Sequence, residues 1–269
     1  MDPALLQQLA WGAIPPGIFG AMVFGAAWKK RGQPREAAGA VLQWSAGGEL
    51  FIIAMFGVAL FIMHSVIYNG PSRMMWKLPP INSNQWLPIG AFVAMTLATV
   101  ATLLNGQRWR AWGWAMLAGC VVAALGAVTA RKLIAGTWSG AETAMYVGGA
   151  GVGAFVLTWG LLKLAVTPGF VGAASVAIVA GSLANVMAGP LNSLTLAQWS
   201  GIAAAFVTPA AMLGLLRPAA VLPIGVAFVA AVALGQAGFQ VSAYGSAKMT
   251  TLLVSLALVV SGPWAGVAM

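Results

Sequence analysis

Two side chains in the stretch 37–69 carry chemistry that packing alone does not need. Glu49 stands between AAGAVLQWSAGG and LFIIAMFGVALFIM, and His64 closes that second apolar run. His64 is the one histidine of the chain, and Glu49 is one of four acidic residues, the one set deepest in apolar sequence. An ionisable group inside a membrane span is costly and marks a functional site by default. A carboxyl held there would act as a proton carrier or as a cation ligand. Gly47 and Gly48 directly before it would let the helix bend or a neighbour come close, as in the discontinuous helices of transporters. Set against this, 50–69 alone is long enough to span a bilayer. Glu49 would then lie at the inner interface, with 37–48 as an interfacial or loop segment.

His64 follows at a distance of about 22 Å along a helix rising 1.5 Å per residue, so the two cannot pair directly. It would ligate a haem or chlorophyll axially, relay a proton near the outer side, or serve as a hydrogen-bonded packing residue. With one histidine, a bis-histidine haem or a histidine-built metal centre needs a second chain. No cofactor and no metal is assigned on sequence grounds.

The other polar positions are sparser. Glu142 lies in WSGAET, where Ser139 followed by Glu142 has the spacing of a capping box opening a helix. Two PxNS segments, Pro80–Ser83 and Pro190–Ser193, are the most specific internal feature. Asn and Ser after Pro favour turns and helix starts, because their side chains hydrogen-bond the local backbone. If the two connectors meet on the outer face, Asn82 and Asn192 would line a vestibule there. Asn185, inside an apolar run, would hydrogen-bond between helices. HExxH, the GKS/T phosphate loop, GxGxxG between strand and helix, and paired carboxylates are all missing, so catalysis is not expected.

The elements that must hold these groups are apolar helices. Only 6% of residues are charged and 61% are hydrophobic, with a mean hydropathy of +0.91. A soluble domain carries roughly a quarter charged residues, so a water-facing fold is excluded. Apolar runs of about 20 residues fit transmembrane helices, and they lack the alternation of a barrel. Nine such segments are read: 4–28, 39–69, 87–105, 111–130, 144–165, 168–189, 198–216, 218–238 and 249–268.

A formal charge of +9 would suit nucleic acid, but the basic residues sit in ones and twos at segment ends. That is the pattern of interfacial anchors to lipid, and no nucleic-acid partner is expected. With the N-terminus outside, inner connectors carry Lys29, Lys30, Arg31, Arg35, Arg108, Arg110, Lys163 and Arg217. Outer connectors carry Arg73, Lys77, Arg131, Lys132 and Lys248. This bias predicts an N-out, C-in protein of a bacterial inner membrane. Asp2 ahead of the first apolar run, with the basic cluster after it, argues for a retained span and against a cleaved signal. Trp28, Trp76, Trp86, Trp109, Trp112, Trp138, Trp199 and Trp264 fall near segment ends and read as an interfacial belt. Cys120, alone in an apolar run, reads as a small packing residue.

The PxNS match aligns spans two to five with spans six to nine. The predicted architecture is an all-α polytopic membrane domain: a first span and basic loop (1–36), then two parallel four-span units (37–165 and 166–269). The expected function is movement of a small solute or ion between the two units. Glu49 would be the protonatable or coordinating group, with His64, Asn82, Asn185 and Asn192 as polar lining. The rival is a non-catalytic membrane subunit, a scaffold or a pigment-, quinone- or lipid-contacting component. Partners are then the bilayer and either other membrane subunits or further copies of the chain.

Overall fold

Apolar sequence this continuous has one way to satisfy its backbone in lipid, and the chain takes it. In the computed structural model every described regular element is helical. The structure describes residues 3–29, 44, 46–69, 80, 83–104, 111–167, 169–189, 191, 193–216 and 221–244. In chain order these are α1 (Pro3–Lys29), α2 (Ala46–Asn69), a 3₁₀ turn (Ser83–Gln85) running into α3 (Trp86–Leu103), and α4 (Ala111–Thr129). The short α5 (Arg131–Gly136) and α6 (Gly140–Thr143) follow. A π turn over Ala144–Gly148 then joins α6 to α7 (Gly149–Ala165). The last three are α8 (Phe170–Ala188), α9 (Leu194–Leu216) and α10 (Ile224–Tyr244).

Seven helices are long and apolar enough to cross a bilayer, and α1 adds a shorter apolar stretch, Gly12–Ala27. The protein is a multi-pass integral membrane protein. Eight of the nine segments read from the sequence are thus helices; the ninth, 249–268, lies outside the described residues.

Helix ends follow local chemistry. Ser139 and Glu142 form the expected capping box: the Ser139 N–H donates to Glu142 Oε2 at 2.7 Å, and the Glu142 N–H donates to Ser139 Oγ at 3.2 Å. Gly169 precedes α8 at φ 83°, a left-handed geometry that glycine adopts without a Cβ penalty. Pro15 and Pro16 stay inside α1, and Pro209 inside α9. Pro223, read as lying within a span, instead ends the connector before α10, where its carbonyl accepts the first helical bond, from the Val226 N–H at 3.0 Å. Proline's missing N–H costs nothing there.

The arrangement is a ring. Helices α2, α3, α4, α7, α8 and α9 each touch the next in chain order, α9 returns to α2, and all six touch α10, which fills the centre. Helix α1 lies outside, against α9 and α2. The span of α10 is 89% buried, against 39–44% for the other long spans. A helix that is apolar on every side belongs in such a position. Its Gly- and Ala-rich sequence lets six neighbours approach. Of the two units expected from the sequence, the first would hold α2, α3, α4 and α7 and the second α8, α9 and α10, with its last segment, 249–268, outside the described residues.

Contacts between helices define two ends of the ring. Gly12 of α1 meets Gln198 at the start of α9, and Gly20 meets the backbone of Phe206, so α1 and α9 run parallel. Tyr244, last in α10, donates through its hydroxyl to the carbonyl of Thr129, last in α4, at 2.9 Å. Glu49 and the start of α10 lie at one end, and His64, the starts of α3 and α9 and the finish of α10 lie at the other.

Two sequence assignments change at this level. Trp199 is fully buried in the core, not at an interface, and its indole N–H donates to the Ala233 carbonyl at 3.1 Å. Cys120 faces outward from α4 instead of packing inside. Within GGAGVGAF, Gly151 is pressed against the backbone of Gly119, whereas Gly148, Gly149 and Gly153 meet nothing within 4 Å.

A close backbone approach between α9 and the start of α8 gives a test. A Cβ on Gly214 of α9 would lie 2.6 Å from the Gly169 carbonyl carbon and 2.7 Å from Phe170 Cα, and no rotamer change relieves a clash with backbone. Gly214→Val is expected to cost about 1–3 kcal/mol or more by overpacking, read as a lower thermal midpoint in detergent. Gly201→Ala, which meets nothing within 4 Å, is expected to stay within about 0.5 kcal/mol. Equal effects at the two glycines would refute this packing.

Candidate functional site

The chemistry of α10 begins at its N-terminus. The connector Val221-Leu222-Pro223 offers no Ser, Thr, Asp or Asn to cap the helix, so the first backbone N–H groups need partners from elsewhere. Glu49 supplies one: its Oε1 accepts from the Gly225 N–H at 3.4 Å, across from α2. The positive end of the helix dipole also suits an acidic side chain there. Trp44, just ahead of α2, donates its indole N–H to the Val221 carbonyl at 2.7 Å, fixing the same connector. Glu49 is therefore in the first turn of α2, as the shorter span reading requires. It is nonetheless 3% exposed, enclosed by protein. Position at a helix end and burial turn out to be compatible, because α10 covers it.

The opposite end holds a denser polar cluster. Gln236 and Gln240 are one helical turn apart on α10 and are 1% and 2% exposed. Gln236 Nε2 donates to the Trp86 carbonyl at 2.7 Å, and Gln240 Nε2 donates to the Ser83 carbonyl at 2.8 Å. Between those two acceptors lies Asn84, whose backbone hydrogen-bonds the imidazole of His64. The 3₁₀ turn is thus tied by three buried side chains from α2 and α10. His64, 3% exposed, also packs edge-on against Trp199, with ring centroids 5.0 Å apart and planes at 83°. Through Ala233, Trp199 in turn grips the same face of α10.

One feature of the cluster is unbalanced. Both carboxamide nitrogens point at carbonyl oxygens, so flipping either amide would set oxygen against oxygen. The orientation is forced, and the leftover atoms, Gln236 Oε1 and Gln240 Oε1, are buried acceptors with no hydrogen-bond partner. Each such atom costs about 1–3 kcal/mol. Gly90 on α3 makes room for one of them, since a Cβ there would overlap the Gln236 carboxamide.

The residues singled out from sequence are thus dispersed. Glu49 and His64 belong to opposite ends of α2. The side chain of Asn185 is exposed on α8 instead of turned between helices. Asn82 and Asn192 lie outside the described residues. Sequence reading passed over Gln236 and Gln240. Their signal was present as two amides at i and i+4 in an otherwise apolar segment, but the segment was read as ending at 238, which left Gln240 in a connector. Among the described residues, no cluster of His, Cys, Asp or Glu is able to hold a metal ion. The chain matches no family model, no curated protein and no solved structure.

The cap at Glu49 is testable apart from any activity. Glu49→Ala leaves the Gly225 N–H without its acceptor and is expected to cost about 1–3 kcal/mol. Glu49→Gln keeps an oxygen in place and is expected to cost less than about 1 kcal/mol. Thermal unfolding, with hydrogen exchange over 224–227, reads both. Equal stability of Glu49→Ala and the native chain would remove the cap.

Proposed function

We propose that the protein moves a small solute or ion across the membrane along α10, using polar stations at its two ends. The observation that carries this is the pair of forced, partnerless carboxamide oxygens on a helix enclosed by six others. Intramembrane polar groups left unsatisfied are expensive, and a transported species is the kind of partner that justifies them. Glu49 is the protonatable or coordinating group at one end. His64, Gln236 and Gln240 line the other, with Asn82 and Asn192 from the PxNS connectors as further lining and Asn185 at the periphery.

The finer assignments belong to the same proposal. The charge bias of the connectors supports an N-out protein of a bacterial inner membrane, with Glu49 towards the cytoplasm and His64 outward. The two PxNS motifs support a duplication of parallel units: each leads into a helix, α3 or α9, that starts at the His64 end. A non-catalytic membrane subunit is the alternative. Its support is that Glu49 already has a structural task in capping α10.

Uptake into proteoliposomes separates these. Gln236→Leu is expected to lower uptake roughly tenfold or more while the protein remains monodisperse. Glu49→Gln, which preserves the cap, is expected to lower it by a similar factor if a proton or ion is handled there. Full uptake in both variants would sink the transport mechanism, and a stoichiometric co-purifying membrane partner with no uptake would favour the subunit.

A further inference from the structure

We infer that Gln236 and Gln240 hold a small monovalent cation between their free carboxamide oxygens, a step that rests on the transport proposal and names the class of species moved. The ligand set determines the chemistry. Both free atoms are carboxamide oxygens, which only accept, and the bond from each amide nitrogen to a backbone carbonyl fixes which way the oxygen faces. Neither oxygen has a partner, and both side chains are more than nine-tenths buried. The carbonyls of Ser83 and Trp86 engage the nitrogen side of the two amides, which leaves the oxygen side for a ligand. An all-oxygen, dipole-rich environment suits a hard cation, as unwound carbonyls and helix C-terminal ends do in transporters.

The charge of the ion follows from what is not there. Among the described residues, the acids are Glu49, which caps the far end of α10, and Glu142, which is exposed and engaged with Ser139. A divalent cation would bring two charges into a site of neutral dipoles, at a desolvation cost those dipoles do not repay. A single charge is within their reach, helped by the C-terminal ends of α2 and α10, which run parallel, since Glu49 meets Gly225 at their starts and His64 and Gln240 meet the same 3₁₀ turn further on. The fit also explains Gly90. Any side chain there would push the Gln236 carboxamide out of its place.

The test uses the whole purified protein in detergent. Thermal unfolding is followed by tryptophan fluorescence while Na⁺, K⁺ or NH₄⁺ replaces choline at constant ionic strength. Binding of radiolabelled Na⁺, with K⁺ and NH₄⁺ as competitors, provides a second measurement that needs no variant. At least one small cation is expected to raise the thermal midpoint saturably, with choline inert. Gln236→Met and Gln240→Met, close in volume, are each expected to weaken the apparent affinity roughly ten- to a hundredfold.

The absence of any saturable, ion-specific effect on the native protein would overturn the cation and leave water as the occupant of these oxygens. An effect of equal affinity in both variants would overturn the site. If native protein binds no cation but Gln236→Leu still abolishes uptake, the transported species is a neutral hydrogen-bond donor. Transport then survives and this inference fails. Saturable binding lost in both variants, with no uptake by the native chain, would keep the cation site and discard transport.

Discussion

Enclosure of α10 by six helices is the constraint from which the polar chemistry of this protein follows. A helix in the outer ring is able to turn a polar side chain towards water at its ends or towards a neighbour of its choice. The central one has no such freedom: whatever polar atom it carries is answered by another helix or by nothing. Backbone carbonyls in the ring are largely committed to their own helices. The available partners are therefore at helix starts, where the backbone is irregular. That is why Gln240 reaches the 3₁₀ turn at Ser83 and Gln236 reaches Trp86, at the junction of that turn with α3. It is also why an uncapped N-terminus at Gly225 draws its acceptor from α2.

The 3₁₀ turn then becomes the meeting point of three helices. It belongs to α3, receives amide donors from α10 and binds the imidazole of α2 through Asn84. At the far end, α2 again holds α10, through Glu49 and through Trp44 ahead of it. Helices α2 and α10 are consequently held at both ends by directional bonds, and α3 joins them at the 3₁₀ turn, some of these bonds lying in low-dielectric protein where they are strongest. Apart from the Tyr244 hydroxyl on the Thr129 carbonyl at the α4 end, α10 meets α4 and α7 through apolar contacts: Trp114 against Phe228, Gly126 against Phe239, and Gly235 against Ala154 and Val122. Apolar contacts of this kind are non-directional and slide at less cost than hydrogen bonds break.

Much of this was legible before any coordinates. Hydropathy located eight of the helices, because length and apolar content suffice for that. The capping box at Ser139 and Glu142 was readable because both partners lie within one turn of chain. Glu49 was conspicuous as a rare acid, and its position at a span end was among the readings. Its burial was not readable, since the covering helix is far away in sequence, |i−j| of 176 to Gly225. Trp199 shows the same limit. Near a segment end, tryptophan belongs statistically to the interface, and only the contact with α10 across the ring moves it into the core. Gln236 and Gln240 were missed for a different reason. A span average absorbs two amides among nineteen mostly apolar neighbours, and which helix is central is a property of the assembly, not of the segment.

The distribution of bond types bears on how any transport would proceed. Access to Gln236 and Gln240 from the His64 end requires parting of the groups that cover them. Breaking the three bonds at the 3₁₀ turn would expose further buried acceptors and donors, each costing about 1–3 kcal/mol until solvated. Displacing α4 and α7 together from α10 breaks apolar and small-residue contacts, the Gly235 contacts among them, and one hydrogen bond, from Tyr244 to the Thr129 carbonyl, while the Gly119–Gly151 approach keeps α4 and α7 paired. The cheaper motion keeps α2, α3 and α10 together and moves their neighbours over them. This is the shear type of rearrangement, small sliding of packed helices that gives up one directional bond, at Tyr244, in place of the three at the 3₁₀ turn. In that motion Gly90 keeps its place against Gln236, so the oxygens would be uncovered without being re-oriented.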